Sequence, residues 1–357
     1  MNSVESPTCG VNSQAVRIGE FTLALRDVTL SDETDVLALH HRVFGSGADA
    51  RWFAWKYGQD SNQGHGIAVG AWHEGQLVAY CGGVPRALRL HDVDLRGLQI
   101  GDVMVHPAWR GVFGRRGPFF QVSNSFYESK IGAAHSRAFE LGFGFPNMRH
   151  LKLAVLLGLL HDEGVIQSLH WNSLPPTDFR LPWFWRWRPL QPSDPKFDRN
   201  VNAAWKRMQA ELPHLILGQR DAAYIRWRYV DRPWATGGRA EKLVRYHFFE
   251  LRYAWSSISW GVAIMDLHSA TPQWLDWVGS VNLMQAASLG CRMEAAQAGA
   301  PELVAWASDS VAHQLANTDV MRREICAGLG IPTSSVSASH PVEKAGWWLM
   351  GGDTDFL

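Results

Sequence analysis

Three arginines and three glycines crowd one short stretch, Trp109-Arg110-Gly111-Val112-Phe113-Gly114-Arg115-Arg116-Gly117. Residues 102–105 before it alternate like a strand, and residues 118–130 after it read as a helix. Pro118 falls in that helix's first turn, where a missing N–H costs nothing. Glycines let backbone amides approach an anion, a helix N-terminus adds unpaired N–H groups, and guanidinium groups add charge-assisted hydrogen bonds. A phosphate or pyrophosphate is the natural guest. Neither the GxxxxGK[ST] nor the GxGxxG spacing fits here, so those two nucleotide-binding loops are excluded. A solvated basic turn would use the same residue types, so the loop alone does not decide the chemistry.

The elements around the loop suggest an α+β order. Strands are expected over Phe21–Val28, Ile67–Trp72, Gln76–Gly83, Leu88–Leu90, Leu95–Leu98 and 102–105, with a hairpin turn at Glu74-Gly75. Helices are expected over Thr34–Phe44 and Asn147–Leu160, with a strand over Ala138–Phe143 between the loop's helix and the latter. Further on, Leu243–Arg252, Ser257–Leu267, Leu303–Ala307 and Gly346–Met350 read as strands, and Gln273–Ala287 and Val311–Leu329 as helices.

Composition narrows the class. The chain has 357 residues with 46% apolar and 19% charged, which suits a globular protein of about two domains. Lys plus Arg number 34, as do Asp plus Glu. No whole-protein field therefore favours nucleic acid or an anionic membrane. Cys9, Cys81, Cys291 and Cys326 form no CxxC pair, which argues against zinc and against a disulfide framework. No metal is expected. Leu153–Leu160 is far short of the ~20 apolar residues a membrane span needs. Residues 1–16 carry no Lys or Arg and read as a loose polar tail without a signal peptide, so a cytoplasmic protein is expected.

A repeat divides the chain. Trp55-Lys56-Tyr57 returns 172 positions later as Trp227-Arg228-Tyr229, each with aromatic residues just upstream. Between the copies lies the region richest in proline, holding Pro182-Trp183-Phe184-Trp185-Arg186-Trp187-Arg188-Pro189, part of a total of 18 tryptophans. Such alternating aromatics could stack bases or meet a membrane interface, but packing between two domains is the expectation.

The segment Val105-His106-Pro107-Ala108-Trp109-Arg110-Gly111 resembles the coenzyme motif of GNAT superfamily N-acetyltransferases, in which a strand ending V-x-P enters an R-G-x-G-x-G/A loop and then a helix. Gly114 and Gly117 are more widely spaced than in that pattern. About 36 residues on, Asn147 opens a stretch similar to the next motif, N-x-x-A-x-x-x-Y-x-K-x-G-F, with Gly158 and Leu159 in register. His150, Ala154 and Leu156 replace its alanine, tyrosine and lysine. Gly144-Phe145-Pro146-Asn147 resembles the GNAT subgroup with paired domains.

The resemblance implies two tandem GNAT-like domains, each a mixed, mostly antiparallel sheet flanked by helices. The expected division is a disordered tail at 1–16, a coenzyme-binding domain at 17–172, a linker at 173–199 and a degenerate copy at 200–357. It implies acetyl-CoA held by Met104, Val105, Arg110, Gly111, Val112, Phe113, Gly114, Arg115, Arg116, Gly117 and Asn147. The acceptor would be the amine of a small molecule or amino sugar, with Asp102, Glu140 and His106 as candidate proton acceptors. After residues 264–268 the second half shows no arginine–glycine loop, so no second coenzyme site is expected there. Two alternatives stay open: a non-catalytic binding protein that kept the cleft, and aminoacyl transfer from a charged tRNA. The sequence leaves the oligomeric state open.

Overall fold

The structure is a computed structural model that describes residues 13–45, 48–58, 66–112, 114–132, 137–233, 245–335 and 345–354. In the first half, β1 (Gln14–Ile18), β2 (Phe21–Asp27), β3 (Ile67–His73), β4 (Gln76–Leu90) and β5 (Val93–Val105) form an antiparallel meander. The three short strands expected between residues 88 and 105 are parts of the long β4 and β5. Helices α1 (Glu33–Phe44) and α2 (Ala50–Tyr57) cover one face. On the other lie α3 (Pro118–Lys130) and α4 (Met148–Leu156), with β6 (Leu141–Gly144) between them in sequence. Asp49 and Asn147 start α2 and α4 as N-caps, accepting from the Trp52 and His150 amides at 2.8 and 2.9 Å.

The second half repeats the plan. Strand β7 (Leu160–Asn172) leads through β8 (Trp185–Pro189) and α5 (Phe197–Glu211) to β9 (Leu215–Gly218) and α6 (Ala222–Ile225). Then follow β10 (Tyr246–Tyr253), β11 (Gly261–Asp266), β12 (Gln273–Gly279), α7 (Met284–Gln297), β13 (Glu302–Ser308), α8 (Asp309–Gln314), β14 (Arg322–Pro332) and β15 (Gly346–Trp348). The antiparallel β11–β12 pair and the parallel β12–β13 pair mirror β4–β5 and β5–β6.

One sheet runs through both halves in the order β1-β2-β3-β4-β5-β6-β14-β7-β13-β12-β11-β10-β8. The halves exchange strands: β14 lies beside β6, and β7 lies between β14 and β13. Residues 173–199, expected as a linker, contribute β8 to the sheet edge and the start of α5. Residues 14–16, expected in the tail, belong to β1.

Two expected helices are partly strand. Residues 273–279 form β12, whose Trp274, Leu275, Trp277 and Val278 are all buried. A strand covered on both faces loses its alternation and looks helical in sequence. Residues 322–332 form β14 in mid-sheet, exposed at its start and buried over residues 327–332; a Cβ on Gly328 would meet Leu151 Cδ2 at 2.4 Å.

Buried charges join the halves. Arg220 pairs with Asp276 at 2.9 Å and with Asp353, and Asp353 also takes Arg86 of β4 at 3.0 Å. Arg86 continues to Gln99 of β5 at 2.6 Å. The repeated tryptophans meet directly. Trp55 and Trp227 stack at 4.9 Å, and each indole N–H donates to the other's carbonyl, at 2.9 and 3.4 Å. The sequence repeat is thus a structural one, about a local two-fold.

Candidate active site at a strand splay

Strands β5 and β6 pair in parallel from Gly97–Leu141 to Ile100–Gly144, and there they part. Two local features separate them. Asp102 sits at φ 52° in a bulge, with Gly82 opposite Gly101 but Tyr80 opposite Met104, so β5 turns away. Beyond Gly144 comes Pro146, which has no N–H to extend a ladder, and Asn147 at once caps α4. The resulting wedge leaves residues 101–105 held by β4 alone.

The arginine–glycine loop closes the mouth of this wedge. Gly114 has φ +77°, where a side chain would be strained, and a Cβ on Gly117 would lie 2.3 Å from the Val112 carbonyl oxygen. Both glycines are therefore required by backbone geometry. Within the loop, the amides of Trp109, Arg110 and Gly117 donate to the carbonyls of His106, Pro107 and Gly114. Among the described residues, no backbone carbonyl engages the amides of Gly111 or Val112. The first amides of α3 likewise have no intrahelical acceptor. These donors, with the exposed side chains of Arg110, Arg115 and Arg116, suit a diphosphate. Arg110 also braces the strand end, donating from Nε to the Val105 carbonyl at 3.1 Å. The Arg115 guanidinium lies near Gly158, where a Cβ would be 3.7 Å away, so the loop faces the end of α4.

The remaining expected coenzyme residues fall in several places. Met104 is fully buried under α1 and α2, and Val105 is half-buried on the α3 face. Asn147 is exposed and occupied as the α4 cap. Phe113 lies outside the described residues. Ala154 is buried within α4, whereas Leu156 is 82% exposed.

The three candidate proton acceptors are not brought together. Asp102 lies at the splay: its Oδ2 accepts from the Tyr57 hydroxyl at 2.6 Å and contacts Lys56 Nζ at 2.6 Å. Its Oδ1 has no hydrogen bond within the chain among the described residues. His106 follows β5, with Nδ1 accepting from the Ala108 amide and Nε2 facing an Arg42 guanidinium nitrogen, both at 3.2 Å. Burial, then Arg42 and Arg110, hold its pKa below the ordinary imidazole range. Glu140 stands apart. It opposes Arg96, accepts from that residue's amide at 2.8 Å, and lies about four residues, or ~13 Å, from the splay.

Sequence reasoning missed Lys56, Tyr57 and Tyr80. Lys56 and Tyr57 stood out only as a repeated motif. Burial, then the Asp102 charge, drives the Tyr57 pKa far up, so this hydroxyl stays protonated and donates. A Cβ on Gly82 would meet the Tyr57 and Tyr80 hydroxyls at 2.8 and 2.7 Å, so both converge beneath the bulge.

The equivalent region of the second half is closed. Strand β12 enters α7 through a short turn at 280–283, not through the 267–274 hairpin to which the sequence pointed. Glu211 fills the turn, its Oε2 accepting from the Ser280 hydroxyl at 3.0 Å and the Val281 amide at 2.8 Å. A carboxylate of the chain thus sits where an anionic ligand would meet the helix.

Residues 24–147 match the model of the acetyltransferase (GNAT) domain. The chain contains a GNAT domain. No curated protein sequence matches the chain. Among solved structures it is similar to a conserved Enterococcus faecalis protein described as a probable N-acyltransferase (TM-score 0.62, 14% identity, covering 88% of this chain and 73% of that one). It is similar to a GCN5-related N-acetyltransferase from Kribbella flavida (0.58, 14%, 87% and 70%). A third is the Saccharomyces cerevisiae N-myristoyltransferase with bound myristoyl-CoA (0.54, 10%, 93% and 82%). These structures share the fold, and the yeast enzyme does so over both GNAT-like halves of this chain. No helix among the described residues is long and apolar enough to cross a membrane.

Proposed function

We propose that this chain is an acyl-CoA-dependent N-acyltransferase, moving an acetyl group to the amine of a small molecule or amino sugar. The observation that carries the reading is the pair of unengaged amides at Gly111 and Val112, beside a splay that also holds Asp102. The loop and the start of α3 would hold the coenzyme's diphosphate, and the coenzyme supplies the thioester that is attacked.

The chain's own task is to place the amine and take its proton. An ammonium of ordinary pKa ~10.4 must give up about 4.6 kcal/mol to become a nucleophile at pH 7. Asp102 is the best-placed acceptor, because Tyr57 and Lys56 fix one carboxylate oxygen and leave the other open. The amine nitrogen then bonds to the acyl carbon as the carbon–sulfur bond breaks, and the proton ends on Oδ1 or on water beyond it. His106 suits the role less, since a proton on its ring would face Arg42 and Arg110. A thiol of pKa ~8.5 departs with little acid assistance, so Ala154 in the place of the family tyrosine is compatible with turnover.

The test is thiol release from acetyl-CoA and longer acyl-CoAs over a panel of amines and amino sugars. Turnover with any pair supports the reading, and the yeast neighbour makes chain length a variable worth including. Coenzyme binding without thiol release over the whole panel would leave a binding protein instead.

A further inference from the structure

The tryptophan-rich segment has two parts. Trp187 is packing: it stacks on Phe249 at 5.5 Å and donates its indole N–H to Glu294 at 3.0 Å. Trp183, by contrast, is 77% exposed, and Trp255 in the β10–β11 turn is 68% exposed. Their rings lie 6.0 Å apart, and no other tryptophan is counted among the exposed large apolar side chains of the described residues. The Ala254 amide donates to the Phe184 carbonyl at 2.8 Å and ties the two loops into one tip, which also carries the exposed Ile258.

Positive charge surrounds this tip. Arg180, Arg186 and Arg188 are exposed, and among the described residues no carboxylate comes within ion-pair distance of them. Glu250 opposes Arg188 in the ladder, but it is taken by Arg252, Asn200 and Ser259. Arg186 donates to the Trp183 and Trp185 carbonyls, which fixes a cation beside the indoles.

We infer that this edge of the sheet docks peripherally on an anionic membrane, with Trp183, Trp255 and Ile258 entering the headgroup boundary. Indole rings favour that boundary, shallow apolar burial supplies affinity, and unpaired arginines add attraction to anionic lipid. A base-stacking surface fits less well. It needs open ring faces, whereas Tyr253 already stacks with both Trp185 at 4.3 Å and Trp255 at 5.4 Å.

The experiment is co-sedimentation of the full chain with vesicles of phosphatidylcholine alone, or with roughly a third phosphatidylglycerol. Binding to the anionic vesicles only, weakening as salt is raised, is the expected result. Trp183→Ser with Trp255→Ser should lower the partition coefficient at least about tenfold with the melting temperature unchanged. Arg180→Gln with Arg188→Gln should lower anionic binding severalfold and serves if the tryptophan pair misfolds. No vesicle binding, binding indifferent to both variant pairs, or retention of single-stranded RNA in place of vesicles would overturn the inference.

Discussion

The two halves start from one plan and end with different chemistry. Both place an aspartate beside a bulge in the strand ahead of the long helix, Asp102 in β5 and Asp276 in β12, and both give it a tyrosine from the repeated motif. Asp276 is sealed: Oδ1 accepts from Arg220 and the Trp277 amide, and Oδ2 from Tyr229. Asp102 keeps one oxygen open, and its cationic neighbour is a lysine where the second half has Arg228, which donates to the Gly352 and Thr354 carbonyls. The loops differ likewise. Amides await an anion before α3, while Glu211 occupies the turn before α7. On the proposed reading, one fold serves as a reactive cleft where polar groups are left unpaired, and as a buttress where they are satisfied internally.

The comparison breaks most visibly at the two aspartates. Asp102→Asn is expected to lower kcat by about 10²–10⁴, measured by thiol release, and also to lower the melting temperature, because the buried Lys56 ammonium loses its counter-charge at 2.6 Å. Asp353→Asn should lose stability while sparing kcat. Burial works against this carboxyl's ionisation, but Arg220 and Arg86 outweigh it and hold its pKa below the ordinary range. Removing its charge leaves those arginines poorly paired, and urea unfolding should show a loss of about 3–5 kcal/mol. A kcat defect without a stability defect in Asp353→Asn would erase the proposed distinction.

The loops give smaller effects. Gly117→Ala should weaken acetyl-CoA at least about tenfold by driving a Cβ into the Val112 carbonyl, whereas Gly111→Ala has open space and should change affinity less than about twofold. Arg110→Ala with Arg115→Ala should reduce affinity and its salt dependence together. The smallest effect is expected at His106. Its depressed pKa leaves the ring neutral throughout pH 7–9, so His106→Gln should leave the shape of the pH–rate profile there unchanged. Any rise in that interval then belongs to the acceptor ammonium losing its proton.

The loop and its helix were legible because glycine, arginine and proline act locally. Pro118 starts α3 and Gly114 takes the left-handed turn whatever the rest of the chain does. The β12 strand was not legible, because burial on both faces removes the alternation that marks a strand, and in β14 the exposed start and the buried end, residues 327–332, leave no alternation either. The role of Lys56 and Tyr57 was hidden for a different reason. Their partner lies 45 positions from Tyr57 along the chain, and only the packing of α2 across β5 brings them together. Glu140 looked plausible because its strand flanks the site, yet its position at the far end of β6 depends on a register that one sequence does not reveal.

Calorimetric titration of the intact chain with acetyl-CoA tests the loop most directly. The account predicts one site per chain, weakened by Gly117→Ala and indifferent to Glu211→Gln. Two equivalent sites, or no heat at millimolar coenzyme, would contradict it.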